Sequence, residues 1–72
     1  MYKIYIVGND WGEFGKFVAK YDTLQQAERR IEKDALKLVR ELHYVRKNFL
    51  EEDIIVYDVG SWSKYFKVVR EW

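Results

Sequence analysis

The longest regular pattern in the chain runs from residue 23 to residue 48, and it limits what the rest can become. Apolar side chains recur at Leu24, Ala27, Ile31, Ala35, Leu38, Leu42, Val45 and Phe49, the three- and four-residue spacing that lines one face of an α-helix. Its start carries a capping signal: the Thr23 hydroxyl can accept a hydrogen bond from the backbone of Gln26 while the Gln26 side chain reaches back. Its end is marked by Asn48, which tolerates a left-handed conformation. Glu51, Glu52 and Asp53 follow, and their charges would sit badly at the negative end of a longer helix. The pattern predicts one long helix over residues 23–48, about 38 Å long at 1.5 Å per residue.

Both flanks of this segment read as strands. Residues 2–7 are rich in β-branched and aromatic types, Gly8, Asn9, Asp10, Trp11 and Gly12 supply turn chemistry, and residues 14–21 resume an extended pattern, which together make a hairpin. Residues 53–59 and 64–72 form two more strands, joined by Gly60, Ser61, Trp62 and Ser63. Proline is absent, and 72 residues leave room for one core. The expected fold is therefore α+β, a single domain over residues 1–72 of order ββαββ, with one long helix packed on a four-stranded, mainly antiparallel sheet.

Side-chain alternation then sorts the strands into faces. Tyr2, Ile4 and Ile6 are expected to face the helix, as are Phe17, Ala19 and Tyr21, and Phe66, Val68 and Trp72. The strand over 53–59 is apolar on both parities and has no preferred face. One helix covers one face of a sheet, so the opposite face is expected to carry Tyr5, Val7, Phe14, Val18, Tyr65 and Val69 among Lys3, Lys16, Lys20 and Lys67. Such a face suits three roles: a solvated antiparallel sheet with protective lysines, a protein or dimer contact, or a surface where bases stack and phosphates are neutralised.

The expected helix offers two more surfaces. Arg30, Lys33, Lys37, Arg40, Tyr44 and Lys47 fall within one arc, a basic stripe that could track a phosphate backbone, although Asp34 and Glu41 can pair with Arg30 and Lys37 at four-residue spacing. Leu36, Val39 and His43 widen the apolar arc beyond what one small sheet needs, so a second copy or another protein is expected to pack there. Trp11 and Trp62, one in each strand connection, are further candidates for anchoring a partner.

Chemistry-bearing constellations are scarce. With one histidine and no cysteine, the chain lacks the parts for Cys/His zinc sites, cysteine nucleophiles and Ser-His triads. Gly8, Gly12 and Gly15 precede a strand rather than a helix and so read as a hairpin turn, not a phosphate-binding loop. The expectation is a non-enzyme with no metal, cofactor or small-molecule substrate. A net charge of +1 argues against wholesale attraction to nucleic acid, so any such binding is expected to be weak. The apolar stretch over 2–7 is too short for a secretory or membrane-spanning segment and is broken by Lys3. With no cysteine, a cytoplasmic location is expected.

Residues 17–28, an aromatic strand ending in Tyr21-Asp22-Thr23 and opening a helix that reaches Ala27-Glu28, resemble a junction found in small phage and prophage proteins. The segment is also similar to the strand-to-helix junction in the arm-site DNA-binding domains of tyrosine recombinases. The first resemblance implies a non-catalytic inhibitor or adaptor of host machinery, a class that includes anti-CRISPR proteins, and it assigns no functional residue. The expectation drawn from all of these readings is a small protein-binding domain that forms a homodimer, with a nucleic-acid-binding accessory protein as the alternative.

Overall fold

The computed structural model describes residues 1–42, 45–61 and 63–71. Two hairpin-forming strands, β1 (Tyr2–Val7) and β2 (Lys16–Tyr21), precede a helix α1 (Leu24–Ala35), and three strands follow: β3 (Arg46–Glu51), β4 (Ile54–Asp58) and β5 (Tyr65–Arg70). All five strands form one antiparallel sheet in the order β2-β1-β5-β4-β3. The fold is thus α+β with five strands and one short helix, and the expected ββαββ arrangement of four strands and a long helix is corrected on both counts.

The helix begins as its sequence dictates. Thr23 is the N-cap, its hydroxyl accepting from Gln26 N at 3.2 Å while Gln26 Oε1 accepts from Thr23 N at 3.3 Å. It ends after 12 residues. At Leu36 the backbone tightens, with Lys37 N donating to the Asp34 carbonyl at 3.1 Å and both Leu38 N and Val39 N donating to the Ala35 carbonyl at 2.9 Å. A helix continued to residue 48 would overrun strands of five and six residues, which reach only about 20 Å. It would also leave β4, apolar on both faces, as an unpaired edge. Folding residues 46–51 back as β3 pairs that edge. Leu38, Leu42 and Val45 still pack against the core, so the apolar spacing selected the right side chains for a different backbone.

Ile4, Ala27, Ile31, Ala35, Tyr57, Val59, Phe66 and Val68 form the core between α1 and the sheet. Tyr2, Ile4 and Ile6 face it as expected, and so do Phe66 and Val68; Trp72 lies outside the described residues. In β4, Tyr57 belongs to the core and Ile55 packs against it, while Val56 is buried on the other face opposite Lys67.

The second strand departs from simple alternation. Ile4 stands opposite Ala19 but Tyr5 opposite Phe17, so Val18 is an inserted residue, a β-bulge. The bulge reverses parity: Phe17, expected inward, shares the outer face with Tyr5 and is 51% exposed, while Val18, expected outward, packs on the core.

Candidate functional site

The outer face of the sheet is partly closed by the connection between β1 and β2, residues 8–15. Asp10 turns it, accepting from Gly12 N through Oδ1 at 3.0 Å and from Glu13 N through its carbonyl at 3.2 Å. Trp11 then meets Tyr65 edge-on with ring centroids 5.2 Å apart. Lys67, buried on this face, donates from Nζ to the Glu13 carbonyl at 3.1 Å. Gly15 brings the chain back against Ile6 and Val7 at φ +74°, where a side chain has neither a comfortable backbone nor space. Trp11, Tyr65 and Lys67 therefore hold a loop in place.

This packing divides the expected lysine and aromatic surface. Lys67 serves inside the protein, and Lys3 pairs with Glu71 at 2.9 Å. Lys16 and Lys20 are exposed, but Lys16 pairs with Ile6 and Lys20 with Lys3, so the bulge puts them on opposite faces of β2. Val69 is half-buried opposite Lys3 and Ile54. What gathers at this corner is aromatic. Phe14 is 90% exposed, and Phe17 meets Tyr5 edge-on at 5.7 Å.

The basic stripe is not continuous, because only Arg30 and Lys33 of it lie on α1. Arg30 bonds Asp34 at 2.9 Å and the Tyr21 hydroxyl at 3.2 Å, Lys37 lies 3.7 Å from Asp34, and Arg40 is exposed in the turn region. Lys47 sits on β3. The apolar flank is not on one helix face: Leu36, the C-cap of α1, is 55% exposed, and Val39 is half-buried in the following turn. His43, Tyr44 and Trp62 lie outside the described residues.

The groove between α1 and the β3–β4 hairpin brings together a polar triad that the sequence reading missed. Tyr57 donates its hydroxyl to Glu28 Oε2 at 2.8 Å, and Lys47 Nζ reaches the same oxygen at 2.6 Å. Burial alone would raise the Glu28 carboxyl, but the bonds from Lys47 and Tyr57 and the Lys47 charge outweigh it and hold the group below its ordinary range. Burial first, then the bond and charge of Glu28, push the Tyr57 phenol well up. A cavity of about 200 Å³ lies beside the triad, lined also by Ile31, Glu32 and Val45. Glu28 Oε2 receives both the Tyr57 hydroxyl and the Lys47 ammonium, which makes the triad a brace between helix and hairpin. Among the described residues no group of three or more His, Cys, Asp or Glu converges as a metal site, and no helix is long and apolar enough to cross a membrane.

Besides Met1 and Leu36, the large apolar side chains that stand exposed among the described residues mark the two open edges of the sheet. Phe14 and Phe17 flank β2 at one end, and Phe49 (72% exposed) and Leu50 (45%) lie on β3 at the other. Sequence reasoning placed Phe17 in the core and Phe49 on a helix. The signal that could have corrected the second was β4 itself, since a strand apolar on both faces fits the interior of a sheet better than its edge. Comparison of the chain with protein-family models, with curated proteins and with solved structures finds no match.

Proposed function

We propose that the chain is a non-catalytic protein-binding module, an adaptor or inhibitor, that recognises an extended segment of its partner at the β2 corner. The observation that carries this reading is Phe14, 90% exposed at the mouth of a hairpin whose own strand edge is open. Phe17 meets Tyr5 on the outer face of the adjoining strand, and Lys16 and Lys20 are exposed on its two faces. Strand addition supplies backbone hydrogen bonds, aromatic anchors supply affinity, and the two ammonium groups favour acidic residues in the partner. The nucleic-acid reading loses ground because Lys3 and Lys67 are held by Glu71 and Glu13 and the helix stripe is broken.

A photo-crosslinking residue at position 14 tests the proposal. Expected is a discrete crosslinked protein, lost when Phe17→Ser is added, with binding at least about tenfold weaker on Phe14→Ala and an unchanged melting curve. Tight RNA or DNA binding that disappears on Lys20→Glu, with no protein crosslink, would contradict it.

A further inference from the structure

The two open edges differ in a way that separates their partners. On β2 the charged side chains are Lys16 and Lys20, one on each face, so the strand carries positive charge alone and offers a second copy no opposite charge to pair with. On β3 the order is Arg46, Lys47, Asn48, Phe49, Leu50, Glu51: basic at the start, apolar in the middle, acidic at the end, with Glu52 and Asp53 following in the turn. A strand of that design complements itself in one orientation only. Set antiparallel to its own copy about Asn48, it places basic start against acidic end at both extremities and Phe49 of each copy beside the Lys47 stem of the other; set parallel, it stacks like on like.

We infer that β3 pairs antiparallel with β3 of a second copy, fusing two five-stranded sheets into one of ten strands about a two-fold axis through Asn48. The axis stands perpendicular to the sheet, so each face continues across the seam. Lys47 and Phe49 lie opposite Tyr57 and Ile55 and therefore share the helix-side face, so Lys47 of one copy meets the ring of Phe49 of the other. On the far face, Arg46 comes within reach of Glu51 of the second copy. Phe49 and Leu50 lose their exposure to water, and the outward N–H and C=O groups of β3 gain partners. The pairing goes beyond the binding role of the β2 corner and leaves that corner open.

The test is sedimentation equilibrium on the intact chain. A mass of twice 8.8 kDa that rises toward completion with concentration is expected, and 8.8 kDa persisting into the millimolar range overturns the proposal. Phe49→Lys should weaken the dimer by at least about tenfold, with folding checked by circular dichroism on the exposed-site variant. Arg46→Glu alone and Glu51→Lys alone should each impair pairing, whereas an equimolar mixture should restore a mixed dimer, because each charge then faces its opposite. A mixture that stays monomeric counts against the antiparallel register. The chain has no cysteine, so Asn48→Cys should form a disulfide-linked dimer on mild oxidation while Lys20→Cys should not. A dimer lost on Phe14→Ser but not on Phe49→Lys would overturn β3 pairing and place the contact at the β2 corner instead.

Discussion

At Gly15 the backbone has φ +74°, and a methyl group added there would collide with the carbonyl of Ile6 and the side chain of Val7. Gly15→Ala should therefore cost about 2 kcal/mol or more, a loss readable as a lowered midpoint in urea unfolding. The Glu28, Tyr57 and Lys47 triad makes a second prediction, in pH. A carboxyl held below its ordinary value of 4.5 contributes stability that is present above that value and lost as the folded protein is acidified through its own lower pKa. A phenol raised above 10.0 contributes stability that is full below pH 10 and is lost as pH climbs toward the folded value. Melting temperature should fall on both sides; Glu28→Gln should flatten the acid limb and Tyr57→Phe the alkaline one. Unchanged limbs in these variants would mean that the triad does not couple to folding.

Among the elements, what could be read from sequence was what local chemistry decides. The Thr23 and Gln26 cap, the inward parity of Ile4 and Ile6 and that of Phe66 and Val68 all rest on residues within a few positions of one another. The end of α1 is decided elsewhere, by the length of the strands it lies on and by the edge of β4, neither of which is visible at residue 36. The bulge at Val18 is equally non-local, since only the pairing with β1 reveals the extra residue. Phe17 and Phe49, two of the apolar residues that the structure leaves exposed, are those two failures seen from the surface. The corrected helix predicts a graded response to truncation. Ile31→Ala, at a site 1% exposed, should cost about 2–5 kcal/mol, and Leu38→Ala, half-buried beyond the helix, clearly less. Equal losses in urea unfolding would argue that residue 38 still belongs to a buried helical stripe.

In the whole molecule, the two ends of the sheet differ in chemistry. The β3 end carries a self-complementary strand, and the β2 end carries lysines and exposed aromatic rings. Joining two copies through β3 sets the β2 corners at opposite extremes of a ten-stranded sheet, so a dimer would present its partner-binding surface twice and gain by avidity toward a partner with two copies of the recognised segment. Backbone amide hydrogen exchange, followed residue by residue over a concentration series, tests this division of labour most directly. The account predicts that amides of residues 46–51 become protected as concentration rises while the outward amides of residues 16–21 go on exchanging fast. Protection that runs unbroken from residue 24 through residue 48 at every concentration, or that appears first in residues 16–21, would contradict it.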